Sequence, residues 1–270
     1  MRVLVVGGSG FLGAEVCRRG VHAGFSVVGT FHSGGFAVPG AAGRRLDVTD
    51  RSAVCALVAQ VRPDAVVGTP YRYDDWAVTA DGAANVAVAA AEVGARLVHL
   101  SSDALHGGRP TPYADDDPPT PVHAYGAAKA AAETAVRAID PGAALVRTSL
   151  ILGEGSKQIQ LCRDALAGRA VLFTDEVRCP VDVTDLADAV LELAGSSYAG
   201  PLNVAGPDAM RRADLGLLVA ERFGLDPAGL RTTTAAAAGV VRPSDVRLDS
   251  ARAAGLLHTR LRGVRELLTP

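Results

Sequence analysis

The stretch Val3-Leu-Val-Val-Gly-Gly-Ser-Gly-Phe-Leu-Gly13 constrains this chain more than any other. An apolar, β-branched run leads straight into glycines at positions 7, 10 and 13, and an amphipathic segment follows at once. Physically this predicts a buried parallel strand, a tight turn, and a helix whose N-terminus points at an anion. Gly7 lets the chain turn, Gly10 lets backbone approach a pyrophosphate, and Gly13 lets the helix lie close to the sheet. Glycine triplets recur by chance in a chain with 30 glycines. Strand context before and helix context after make this one a dinucleotide site, with Gly7, Ser9, Gly10, Phe11, Leu12 and Gly13 as the expected contacts.

The rest of the first half repeats one pattern. Helix is expected over 11–23, strand over 25–31, a short strand over 44–48, helix over 53–61 and strand over 64–70. A long Ala-rich helix over 79–94 and a strand over 95–102 follow. Strands and helices alternating with short connections predict an α/β fold, a Rossmann-type doubly wound parallel sheet. Residues 1–153 form the dinucleotide-binding core, and 154–270 form mainly a small C-terminal substrate-binding lobe interleaved with it. An NAD site usually carries Asp or Glu at the end of the second strand, for the ribose 2′-hydroxyl. Here that place holds Thr30, Phe31, His32 and Ser33, none of them acidic. With Thr30 beside the cofactor, a 2′-phosphate is tolerated there and His32 or Ser33 could donate to it, which favours NADP (NADPH), with NAD as the alternative; the plainer reading is that His32 and Ser33 line a solvated loop. Asp47 and Val48 are placed at the adenine, with Asp47 as acceptor or as cap of the loop. Gly68, Thr69 and Pro70 end the next strand at the cofactor rim.

Two features place the chemistry. Ser101-Ser-Asp103 lies at the carboxyl end of the fifth strand, and Tyr125-Gly-Ala-Ala-Lys129 follows after a Pro-rich loop. Tyr and Lys four apart share one helix face. A lysine ammonium beside a positive nicotinamide lowers the phenol's pKa, so that Tyr125 exchanges a proton with a carbonyl or alcohol near neutral pH. Ser102 would orient the same oxygen. Tyr73, in the loop Tyr71-Arg-Tyr-Asp-Asp-Trp76, faces the substrate or packs on the surface.

Here the chain resembles the extended short-chain dehydrogenase/reductases, and within them the dTDP-4-dehydrorhamnose reductase-like, sugar-nucleotide-binding family. The resemblance rests on Gly7-x-x-Gly10-x-x-Gly13, Leu46-Asp-Val-Thr-Asp50, Leu100-Ser-Ser-Asp103, Pro112-Tyr-x-x-Asp-Asp117-Pro-Pro-Thr-Pro, Ala124-Tyr-Gly-Ala-Ala-Lys-Ala-Ala-Ala-Glu133 and Arg147-Thr-Ser149. It implies an NAD(P)H-dependent reductase of a carbonyl, the 4-keto group of a deoxysugar nucleotide. Tyr125 would be the proton donor, Lys129 the holder of the nicotinamide ribose, and Ser102 the support of the substrate oxygen. It also marks Arg178 as a diphosphate clamp, against the plainer reading of a surface salt bridge, and Asp185 as a helix cap. Asp103 and His106 are placed toward the substrate, His106 as an extra acid/base group, although a loop histidine in water is the better description of it. A homodimer through the Ala-rich helices would follow the relatives.

The substrate-facing segments depart from the family. Tyr71-Arg-Tyr-Asp-Asp-Trp76 replaces its Tyr-Thr-x-Val-Asp, Thr79 stands where relatives carry Asn, and Ala104 and His106 replace aromatics. Other readings of the same residues are an epimerase or dehydratase, a reductase of a non-sugar ketone, or a non-catalytic cofactor-binding regulatory subunit. A net charge of −2 with no basic block argues against nucleic acid and anionic membrane partners. Cys17, Cys55, Cys162 and Cys179 lack metal-site spacing, so no metal is expected and the thiols read as reduced. Without an apolar run of membrane length, a cytoplasmic enzyme is the expectation.

Overall fold

The computed structural model describes residues 1–269. Its centre is a seven-stranded sheet. We label the strands β1 (Arg2–Val6), β2 (Ser26–Phe31), β3 (Ala42–Arg45), β4 (Ala65–Gly68), β5 (Arg96–Leu100), β6 (Ala144–Arg147) and β7 (Gly200–Asn203). They lie in the order β7-β6-β5-β4-β1-β2-β3, and every neighbouring pair is parallel. Because β1 pairs with β2 on one side and β4 on the other, the chain reverses direction across the sheet there and leaves a crevice at the carboxyl ends.

A sheet buried on both faces needs strands that are apolar throughout. In β1, Val3 and Val5 enter the core on one face while Leu4 and Val6 enter the other. Helices α1 (Phe11–His22) and α6 (Val183–Ala194) cover the first face, through Val16, Leu186, Val190 and Leu193. Helices α2 (Arg51–Val61), α3 (Gly82–Glu92) and α4 (Ala124–Ile139) cover the second, through Val54, Val58, Val86 and Val136. The small residues Ala83, Ala87, Ala90 and Ala132 let α3 and α4 sit close against the sheet.

The expected boundaries need three corrections. Residues 77–81 form a π turn, and α3 begins after it at Gly82. Residues 200–203, expected in the C-terminal lobe, pair with β6 and close the edge of the central sheet. Helix α6 also belongs to the dinucleotide-binding core, packed on α1. A separate apolar cluster under α5 (Lys157–Leu166), α7 (Arg212–Phe223) and α8 (Val264–Leu268) forms the smaller lobe. Among the described residues, no helix is long and apolar enough to cross a membrane.

Candidate active site

The turn after β1 is built from missing side chains. Gly7 sits at φ +82°, in the left-handed region that favours glycine. A Cβ at Gly13 would collide with the Gly7 carbonyl oxygen, so the first turn of α1 can rest on the loop only with hydrogen at that position. A Cβ at Gly10 would meet only that same oxygen, at 3.3 Å, which leaves its outer side open to a ligand. Gly10 is the N-cap of α1, and no side chain caps the helix. Its first-turn N–H groups are therefore free to meet an anion. A cavity of about 550 Å³ opens here, lined by Ser9, Gly10 and Phe11 on one side and Gly153, Asp182 and Thr184 on the other. Leu12 turns its side chain into the core, so any contact it makes with a cofactor is through backbone.

The residues expected at the adenosine end take more specific parts. Thr30 is buried, and its Oγ1 accepts from Gly7 N–H at 3.0 Å. It supports the glycine turn and has no free face for a 2′-phosphate, unlike the exposed His32 and Ser33. Asp47 accepts from Thr49 N–H at 2.9 Å and from its hydroxyl at 2.7 Å, with His32 Nε2 3.6 Å from its other oxygen. Those hydroxyl and amide bonds hold its carboxyl below the usual range. Val48 is buried against Gly82, and its carbonyl accepts from Asn85 Nδ2 at 2.9 Å. Thr69 donates to the Val6 carbonyl at 2.8 Å and with Pro70 forms the floor beneath Gly7, while Gly68 pairs with Val6 at the end of the ladder.

Ser102, Tyr125 and Lys129 converge at the carboxyl end of β5. His123 caps α4, its Nδ1 accepting from Gly126 N–H at 2.9 Å, and this fixes the turn that carries Tyr125. The phenol is buried, with Ser102 close enough to act on it. Burial raises its pKa above the usual tyrosine value, as do Tyr71, Asp103 and Tyr73, while Ser102 opposes the shift. The expected lowering by Lys129 is therefore not what governs the phenol here. Lys129 Nζ instead donates to the Leu100 carbonyl at 2.8 Å, and burial brings its pKa down to about 8. The back of α4 is strapped by Arg147, which pairs both nitrogens of its fork with Glu133 at 2.8 and 3.0 Å. Arg147 also donates to the Asp115 and Asp117 carbonyls, tying the Pro-rich loop to the sheet.

The substrate side differs most from expectation. Arg178 is buried and donates to the backbone carbonyls of Val177, Ser244 and Pro243 at 2.7–2.9 Å. Its Nε lies 3.6 Å from Asp103. With its fork spent on carbonyls it is neither an open diphosphate clamp nor a surface salt bridge, but a strut between lobe and core. Asp103 is equally committed: it accepts from Ser149 at 2.7 Å and Ser102 at 3.3 Å, and burial raises its pKa. His106 is fully buried rather than in water, stacked on Tyr113 at 3.9 Å with no hydrogen-bond partner at either nitrogen. Its pKa falls to about 3, first through burial and then through Arg147. Asp185 is not the cap of α6. Asp182 takes that place, and Asp185 pairs with Arg262 at 2.7 Å. Tyr73 does meet the site, lying flat on Tyr125 at 4.3 Å. Sequence reasoning overlooked His123 as the cap of the catalytic helix; a polar residue directly before Ala124 was the available signal.

A parallel sheet with a switch point, a glycine turn under an uncapped helix and a Ser-Tyr-Lys cluster define an extended short-chain dehydrogenase/reductase. More narrowly, the chain belongs to the family described as "RmlD substrate binding domain", whose model matches residues 1–269. It is 32% identical to dTDP-4-dehydrorhamnose reductase of Mycolicibacterium smegmatis, over 99% of this chain and 84% of the relative. It is 28% identical to methionine adenosyltransferase 2 subunit beta of Rattus norvegicus, over 93% of this chain and 81% of the relative. Its fold matches that of a Bacillus anthracis dTDP-4-dehydrorhamnose reductase solved in complex with NADP. That match has TM-score 0.84 and 22% identity, and covers 99% of this chain and 96% of the other.

Proposed function

We propose that this chain is an NADPH-dependent reductase of the 4-keto group of a deoxysugar nucleotide, with Tyr125 as proton donor. The observation that carries the reading is the gathering of phenol, hydroxyl and ammonium at the carboxyl end of β5, the same edge of the parallel sheet from which the glycine turn leaves β1. The turn suits a dinucleotide: its glycines leave room where a Cβ would stand, and α1 offers uncapped N–H groups to a pyrophosphate. Gly7, Ser9, Gly10 and the backbone of Phe11 to Gly13 would hold the cofactor, with His32 and Ser33 toward its 2′-phosphate. When bound, the cofactor supplies hydride to the carbonyl carbon.

The side chains manage the oxygen. Ser102 orients it by hydrogen bonding, and Tyr125 donates the proton that turns it into an alcohol. Burial keeps the phenol protonated until that moment, and Ser102 limits the cost of the developing phenolate. Lys129, charged below about pH 8, places a positive charge one helical turn from Tyr125. Such acid catalysis contributes about 10²–10⁴-fold. The crevice also positions the ketone against the donor.

The test incubates the purified chain with NADPH and dTDP-4-dehydrorhamnose. The expected result is NADPH oxidation with formation of the reduced sugar nucleotide, identified by mass. NADPH binding without consumption would overturn the reading. It would favour instead a cofactor-binding regulatory subunit, the reading to which the likeness to methionine adenosyltransferase 2 subunit beta points. A homodimer through α3 and α4 is part of this proposal, and sedimentation would test it.

A further inference from the structure

The loop after β4 is held in an unusual way. Thr79 lies inside the π turn Ala77–Asp81, and it is fully buried. Its hydroxyl donates to the Arg72 carbonyl at 2.8 Å and accepts from Arg72 N–H at 2.9 Å. One side chain thus grips both polar backbone groups of one residue in an exposed loop. Asp75 tightens the same turn, its carboxylate accepting from Val78 N–H at 3.0 Å and its carbonyl from Thr79 N–H at 3.2 Å. The residues either side of Arg72 are Tyr71 and Tyr73. Tyr73 stacks on Tyr125 with an interplanar angle of 15°, and Tyr71 tilts against it at 5.8 Å. Lys129 Nζ stands 5.7 Å from the Tyr71 ring. Each of these two tyrosines is 55% exposed, so neither is held by a core. A π turn inserts one extra residue into a helix and re-aims what precedes it. Here it turns a buried hydroxyl onto Arg72 and two rings onto the catalytic phenol.

We propose that Thr79 is a positioning residue of the active site. By gripping Arg72 it keeps Tyr73 flat against Tyr125, and Tyr73 screens the phenol from water and selects which ketone ring reaches it. The screening stands on the geometry alone, whereas the selection rests on the reductase reading above.

The test uses the full chain and three variants. Thr79→Val keeps the shape and removes both hydrogen bonds, Thr79→Ser keeps the hydroxyl, and Tyr73→Ala removes the cover at an exposed position. Nitration of Tyr125 by tetranitromethane, mapped by mass spectrometry, reads the screen without any substrate. We expect Tyr125 to be nitrated about fivefold to tenfold faster in Thr79→Val and Tyr73→Ala, the change that loss of a net hydrogen bond permits. Thr79→Ser should match the parent. In steady-state reduction of the keto sugar nucleotide, Thr79→Val should raise KM about tenfold with NADPH affinity unchanged, and Thr79→Ser should restore it. Nitration at the parent rate in Tyr73→Ala, or equal acceleration in Thr79→Ser and Thr79→Val, would overturn the proposal. If Thr79→Val does not fold, Tyr73→Ala and Thr79→Ser still decide it. Accelerated nitration with no ketone reduced by the parent would uphold the positioning role and overturn the reductase reading.

Discussion

The two ends of the crevice are made by opposite means. At the glycine turn, function follows from absent side chains: Gly13 lets α1 rest on the Gly7 carbonyl, and the helix end carries no cap. Across the crevice, Arg178, Asp103, Ser149 and Ser102 are linked side chain to side chain or to carbonyls. One end leaves its hydrogen-bonding capacity open to a ligand; at the other, Arg178 spends its fork on joining lobe to core. An arginine near an active site is thus informative only when its fork is free.

The largest effect should come from breaking the first end. Gly13→Ala forces a Cβ into the Gly7 carbonyl, so both Tm and NADPH affinity should fall, the latter by about 100-fold or more as the turn is displaced. Gly10→Ala, which meets that oxygen at 3.3 Å, should keep the Tm and lose affinity alone. Equal Tm losses in the two variants would erase the distinction between support and approach.

At the other end, Arg178→Lys should cost about 1–3 kcal/mol of stability, since buried carbonyls lose their donors. Chemical denaturation measures that loss, and KM for the substrate should stay near the parent value. A tenfold rise in KM at unchanged stability would restore Arg178 as a clamp.

Lys129, between strand β5 and the catalytic phenol, sets a pH limit. Its pKa is lowered from 10.5 to about 8, so kcat/KM should decline as pH rises through about 8 and the ammonium is lost. Stability should move the other way: between about 8 and 10.5 the unfolded chain holds more protons, so the folded state gains as pH rises. Lys129→Met should flatten both profiles. The smallest effect belongs to His32→Ala, expected to weaken NADPH binding about threefold and leave NADH unchanged, as fits one exposed group near a phosphate. Parallel weakening of both cofactors would remove His32 from the 2′-phosphate.

Local patterns were legible in the sequence. The glycine spacing, the alternating βα units and Tyr125-x-x-x-Lys129 depend on neighbours a few residues away, where periodicity fixes geometry. What escaped was the choice of distant partners. Arg178 finds the Pro243 carbonyl 65 positions on, and Asp185 finds Arg262 77 positions on. Residues 200–203 become the edge of the central sheet because β6 leaves a parallel edge open, a fact absent from their own composition. His106 looked like a loop residue, and its burial follows from stacking on Tyr113 at the far side of a turn. The π turn at Thr79 also left no local mark, since one extra residue in a helix does not change the apolar pattern around it.

The central claim is that the Tyr125 phenol delivers the proton to a carbonyl reduced beside the glycine turn. Comparing kcat of the parent and Tyr125→Phe at saturating NADPH tests it most directly. The account predicts a loss of about 10²–10⁴-fold with NADPH affinity unchanged. A Phe variant that turns over at the parent rate would contradict it.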